Sequence, residues 1–153
     1  RFPRAWLGDS YDFSFSGLKT AARRTIEAAR ADVGLREPDE PLPHALTAEL
    51  AWGFQDAVVD VLVSKTIRAA RESGARSIVL GGGVAANAAL RLRLAGEADA
   101  LGIPLIVPRP GLCTDNGAMV AALGSELVRA GKQPSPLDLP ADSSMPITEV
   151  LNR

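Results

Sequence analysis

Between residues 47 and 73 the apolar positions recur three and four apart, the spacing of one face of an α-helix. Leu50, Phe54, Val58, Val61 and Leu62 form one stripe, and Val59, Val63 and Ile67 extend it around the side. So wide an apolar face predicts burial against two neighbours rather than one. Gly74 then stands where a helix end favours glycine. Shorter helices are predicted at 17–30, with Leu18, Ala22, Ile26 and Ala29 on one face, and at 85–99, with Leu90 and Leu94 inward and Arg91 and Arg93 outward. A last one is predicted at 116–130, ending at Gly131. Two short β-branched runs, Ser77-Ile78-Val79-Leu80 and Ile103-Pro104-Leu105-Ile106-Val107, read as strands at 77–80 and 104–108. Each precedes a helix that can return across a sheet, which predicts an adjacent parallel pair. Asp12 to Ser16 alternates polar and aromatic residues and reads as a third, half-buried strand.

The segments between are equally legible. Residues 1–11 form an irregular lead-in broken by Pro3 and Gly8, and 31–45, with Gly34, Pro38, Pro41 and Pro43 among acids, read as an exposed loop. Residues 132–153 carry Pro134, Pro136, Pro140 and Pro146 and read as an extended or poorly ordered tail. Four helices against about three strands give a helix-rich α/β lobe over 12–131, short of the ~5–6 strands of an independent doubly wound sheet.

The chain has 153 residues, a hydrophobic content of 46% and a formal net charge of −1. It is of one-domain size and lacks a global basic footprint for nucleic acid, although a local patch or a partner can supply cations. No run of about 18 apolar residues predicts a membrane span. The single cysteine, Cys113, excludes an intrachain disulfide and fits a reducing, cytoplasmic setting. The first residues, Arg1-Phe2-Pro3-Arg4-Ala5-Trp6, are not a signal peptide and read as a cut in mid-chain.

Chemistry gathers where the two strands run into helices, the edge of an open α/β sheet that binds ligands. Gly81-Gly82-Gly83 lets a phosphate approach the backbone, with the following N–H groups as donors, or else merely permits a sharp turn. Asn87, one turn into the predicted helix, offers donor and acceptor to a ribose or phosphate oxygen, or caps locally. Asp115 can hold a cation. The plainer reading makes Asp115 or Thr114 the helix cap, and one carboxylate falls short of the three protein ligands of a catalytic zinc or iron site. Ser16, Lys19 and Thr20 can position a phosphate, but read more simply as a helix start with Ser16 as cap. Cys113 reads as a small buried hydrophobe and His44 as an exposed loop residue. Arg23, Arg24, Lys65, Arg68, Arg71, Arg91 and Arg93 read as solvated helix-face cations.

Three motifs carry a family resemblance. Phe13-Ser14-Phe15-Ser16-Gly17-Leu18-Lys19-Thr20, Gly82-Gly83-Val84-Ala85-Ala86-Asn87 and Cys113-Thr114-Asp115-Asn116-Gly117-Ala118-Met119 resemble, in that order, the motifs of the tRNA-adenosine threonylcarbamoyltransferases, once described as O-sialoglycoprotein endopeptidases. The last is the most specific, while a Gly-Gly-Val turn alone also occurs in related sugar kinases and O-carbamoyltransferases. The resemblance implies an actin/hexokinase-like, ribonuclease-H-like ATPase fold, of which this chain is the carboxyl-terminal lobe. It further implies transfer of a threonylcarbamoyl group from threonylcarbamoyl-adenylate to the exocyclic amine of an anticodon-loop adenosine. The implied partners are tRNA, a nucleotide-like small molecule, and paralogous and ATPase subunits of a tRNA-modification complex.

By the same resemblance Gly82, Gly83 and Asn87 hold the adenylate, and Asp115 binds a divalent metal, iron or zinc. The family's other two ligands are histidines spaced i, i+4 in an amino-terminal half, whereas the one histidine here is His44. The expectation is therefore half of a site, inactive until the other half is restored. An O-carbamoyltransferase, a sugar kinase or a non-catalytic scaffold are the alternatives. An endopeptidase would require a His-Glu-x-x-His pair that the sequence lacks.

Overall fold

The 29-residue helix predicted from the widest apolar face runs from His44 to Glu72. In the computed structural model, which describes residues 1–37 and 39–138, this helix is α2 of a series. Its neighbours are α1 (Ser16–Asp32), β1 (Ile78–Val79), a 3-10 turn at Gly83–Ala86, α3 (Ala88–Ala100), β2 (Leu105–Ile106), a second 3-10 turn at Pro110–Leu112 and α4 (Gly117–Arg129). The chain divides into two compact units, Arg1–Thr114 and Asp115–Arg153.

Within the first unit α2 is buried on two sides, as its pattern predicts. Val59, Val63, Ile67 and Ala70 pack with Ile78 of β1 and with Leu90, Leu94 and Ala98 of α3. Ala57, flanked by Leu50, Phe54 and Val58, packs with Leu18 of α1 and with Phe2 of the lead-in. Removing this apolar surface from water, at about 25 cal/mol per Å², is the main force holding the unit together. α2 ends on Gly74, whose φ of 63° lets its N–H reach the Arg71 carbonyl while Ala75 N–H reaches that of Ala70. That is the Schellman closure expected at this glycine.

β1 and β2 pair in parallel, Ile78 opposite Leu105 and Val79 opposite Ile106. Ile78 N–H donates to the Pro104 carbonyl and Leu80 N–H to that of Ile106, each at 2.9 Å. The predicted parallel pair is thus present, in strands two residues long. The result is a helix-rich mixed structure with a small parallel sheet, compatible with an α/β fold.

Several expectations need correction. Asp12 to Phe15 is not a strand, and Ser16 is the first residue of α1, not its cap. A strand needs a ladder partner for its backbone. Here the Asp12 carbonyl instead accepts from Lys65 Nζ at 2.6 Å, and the ammonium lies 5.5 Å from the centre of the Phe13 ring. Lys65 is therefore buried, not solvated as its position in the sequence implies. The helix predicted near Thr47 starts at His44, after Pro43, so His44 is exposed but helical. The helix predicted over 85–99 begins at Ala88, because Gly83–Ala86 forms a tighter turn and Asn87 caps α3.

The lead-in is tied down by charge. Arg4 Nε donates to Asp60 at 2.9 Å, and the same guanidinium pairs with Asp56 and donates to the Phe2 carbonyl at 3.0 Å. Arg93 of α3 donates to the other Asp60 oxygen at 2.5 Å and lies 3.8 Å from Asp56. Burial alone would raise the Asp60 pKa. The hydrogen bond from Arg4 and the charge of Arg93 outweigh it and hold the carboxyl below its usual range. Arg4 is correspondingly raised, chiefly by its hydrogen bond to Asp60 and against the effect of burial.

In the second unit α4 has no buried residue, and Met119, Val120, Leu123 and Leu127 are exposed. Residues 132–136 form neither helix nor strand, and the part of the predicted tail from 139 to 153 lies outside the described residues. No helix among the described residues is long and apolar enough to cross a membrane.

Leu94→Ala, which empties a fully buried position facing α2, is expected to destabilise the first unit by about 2–5 kcal/mol, read as a lower urea midpoint. The depressed Asp60 carboxyl stabilises the fold fully above the unfolded pKa of about 3.9, and that contribution fades as pH falls through the lower folded value. Asp60→Asn is therefore expected to cost about 1–2 kcal/mol at pH 7. The gap between variant and parent should close on acidification below about pH 4. A gap that is constant with pH would refute the linkage.

Candidate functional site

The ladder of β1 ends at Leu80, and the chain turns through Gly81, Gly82 and Gly83, all exposed. Gly82 adopts φ 83° and ψ 173°, a backbone region that is almost closed to residues with a Cβ. A Cβ there would meet no atom within 4 Å. Conformation, not space, thus requires glycine. The 3-10 turn closes with Ala85 N–H on the Gly82 carbonyl and Asn87 N–H on the Val84 carbonyl, both 3.0 Å. Gly82, Gly83 and Val84 have no backbone acceptor for their own N–H groups among the described residues. Such N–H groups beside a helix start suit an anion.

Asn87 closes this turn. Its Oδ1 accepts the Leu90 N–H at 2.9 Å, capping α3, and its Nδ2 donates to Gln55 Oε1 of α2 at 2.9 Å. The amide keeps one donor hydrogen and one acceptor lone pair for a ligand. Beside it a cavity of about 160 Å³ is lined by Phe54, Gln55, Val58, Leu62, Val84 and Asn87 among others. That is below the roughly 300 Å³ of a typical ligand pocket, so it can take a ring or a small group, not a whole nucleotide. Larger cavities lie elsewhere, one of about 450 Å³ along Arg68, Arg71 and Arg93 and one of about 460 Å³ along Phe2 and Trp52.

The segment after β2 reaches the same turn. A Cβ on Gly83 would lie 3.9 Å from the methyl of Thr114. Cys113 is buried, as expected of a small hydrophobe, with its sulfur 3.0 Å from Arg91 Nη2. Arg91 was expected to face solvent. Its guanidinium instead donates to the Ala85 carbonyl, to the Pro108 carbonyl at 2.9 Å and to Cys113. One signal could have exposed this. Arg91 lies four residues after Asn87 and three before Leu94, on the inward face of α3.

Gly82, Gly83, Asn87 and Thr114 thus come together in the first unit. Asp115 opens the second unit, where it is exposed. Neither it nor Thr114 caps α4, because Asn116 does, its Oδ1 accepting the Met119 N–H at 3.1 Å. That leaves the Asp115 carboxylate outside the capping role the plainer reading gave it. Among the described residues no three His, Cys, Asp or Glu side chains are grouped so as to hold a metal. Among the described residues Asp115 is thus not grouped with two further donors of these types. Ser16, Lys19 and Thr20 serve α1, with Thr20 Oγ1 donating to the Ser16 carbonyl at 3.0 Å and Lys19 exposed.

The family model of the tRNA N6-adenosine threonylcarbamoyltransferases (TsaD) matches residues 1–122. The chain belongs to this family. The match ends within α4, so it takes in the glycine turn, the Asn87 cap, Cys113 and Asp115.

Gly82→Ala should strain the turn and lower stability by about 1–3 kcal/mol. Gly81→Ala, at a position with ordinary φ and open space, should stay within about 0.5 kcal/mol of the parent. Comparing the two melting temperatures tests whether conformation at Gly82 is what the turn demands. Equal losses would refute it.

Proposed function

We propose that this family member transfers a threonylcarbamoyl group from threonylcarbamoyl-adenylate to the exocyclic amine of an anticodon-loop adenosine, releasing AMP. The observation that carries the reading is the exposed glycine turn at the carboxyl end of β1. Its N–H groups, without a backbone acceptor among the described residues, and its Gly82 conformation suit a phosphate held against the backbone. In the transfer the amine lone pair attacks the carbamoyl carbon and forms the new C–N bond. The bond from that carbon to the phosphate oxygen breaks, AMP leaves with the electron pair, and the amine's proton passes to water.

This chain's part is binding and orientation. The Gly82–Gly83 turn would hold the phosphate and stabilise charge on the departing AMP. The unused donor and lone pair of Asn87 would meet the ribose, with a small group in the cavity along Phe54 and Val84. Asp115 would contribute one ligand to a divalent iron or zinc whose other ligands lie outside this chain, a metal that would polarise or orient the carbamoyl group. No residue here is assigned as general base. The chain would form the carboxyl-terminal lobe of an actin/hexokinase-like fold, working with tRNA and with the other subunits of a modification complex.

Asn87→Ser separates the amide's two roles, because a serine hydroxyl still caps a helix. In the complete enzyme it should leave the melting temperature within a few degrees while weakening adenylate binding at least about tenfold. Asp115→Ala should lose bound metal and transfer to tRNA together, and this 153-residue chain alone should give no transfer. Normal metal content and rate in Asp115→Ala would remove Asp115 from the ligand set. Undiminished adenylate affinity in Asn87→Ser would remove Asn87 from the nucleotide site.

A further inference from the structure

We infer that Arg91 is a positioning residue for the nucleotide end of the site, fixing the glycine turn against the segment that follows β2. Its guanidinium reaches three acceptors that no other side chain links among the described residues. The first is the carbonyl of Ala85, inside the 3-10 turn that Gly82 and Gly83 open. The second is the carbonyl of Pro108, two residues beyond β2, at 2.9 Å. The third is the sulfur of Cys113, at 3.0 Å. Ala85 and Cys113 are buried, Arg91 and Pro108 are half-buried, and all three bonds are part-buried, where leaving an acceptor without its donor carries a cost.

The β ladder cannot hold the turns alone. β1 and β2 are two residues long, and the last bond between them, Leu80 N–H to the Ile106 carbonyl, stops short of both turns. Beyond it the two turns remain neighbours, since a Cβ on Gly83 would stand 3.9 Å from the Thr114 methyl. Arg91 is itself anchored, because its backbone N–H bonds the carbonyl of Asn87, the cap of α3. A planar guanidinium with five donors can satisfy acceptors lying in different directions at once, whereas an ammonium on a flexible stem is a single point of charge. The role is indirect. Arg91 acts through the backbone of the turn that would meet the phosphate.

The inference rests on the nucleotide reading of that turn, and its test keeps the two apart. In the complete enzyme with its partner subunits, Arg91→Ala and Arg91→Lys are compared with the parent by two measurements. One is the rate of alkylation of Cys113 by iodoacetamide, followed on the peptide that carries it. The other is the KM for threonylcarbamoyl-adenylate against kcat. In Arg91→Ala both the alkylation rate and KM are expected to rise at least about tenfold, with a smaller change in kcat, and Arg91→Lys is expected between parent and alanine variant. Unchanged Cys113 alkylation in a folded Arg91→Ala overturns the clamp. Faster alkylation with an unchanged KM overturns its bearing on the nucleotide. If Arg91→Ala does not fold, Arg91→Lys with parental values of both quantities overturns the inference. A parent enzyme that shows no saturation with adenylate defeats the nucleotide reading instead, and alkylation alone then decides whether Arg91 holds the turns.

Discussion

The first unit depends on the burial of α2 along both of its flanks. One flank takes α3 and β1 through Val59, Val63 and Ile67, and the other takes α1 and the lead-in through Ala57 and its neighbours. A helix with one apolar stripe would leave either the strands or α1 without a floor. The same two-sidedness places Gln55 beside Asn87 and Asp60 between Arg4 and Arg93. Polar groups at the margins of the apolar faces thus set the register of the elements that the apolar faces hold together.

The two β-to-α connections are built alike. Each leaves a two-residue strand, passes through a 3-10 turn and ends on an asparagine that caps the next helix, Asn87 for α3 and Asn116 for α4. An asparagine cap fixes where a helix starts, and therefore which residues before it are left in the turn. In the first connection this leaves Gly82 in a conformation suited to glycine, its N–H without a backbone acceptor among the described residues. In the second it leaves Asp115 outside the helix without a capping duty. The family match spans both connections.

Two cations show how packing can reverse a surface assignment. Lys65 and Arg91 occupy positions that a charge-based reading sends to solvent, yet both lie against backbone carbonyls. Each acts where regular structure fails to satisfy the chain: Lys65 under the irregular Asp12–Phe13 segment, and Arg91 between two turns beyond the end of a short ladder. A buried carbonyl without a donor is unfavourable, and a long side chain with several N–H groups is the nearest remedy.

Periodicity and punctuation in the sequence determined the four helices, the closure at Gly74, the two-sided burial of α2, the parallel strands and the identity of the glycine turn. These rest on local preferences and on the repeat of apolar residues, which act within a few residues of one another. The motifs around Gly82 and Asp115 also carried the family. Only the tertiary structure decided that Asp12 to Phe15 would not pair as a strand, that Asn87 and Asn116 rather than Thr114 or Asp115 would cap, and that Lys65 and Arg91 would turn inward. The caps depend on which of several adjacent polar residues first reaches a helix N–H. The two cations depend on acceptors 6 to 53 residues away in the chain. A donor distant in sequence leaves no periodic trace, so its choice of acceptor is made by packing.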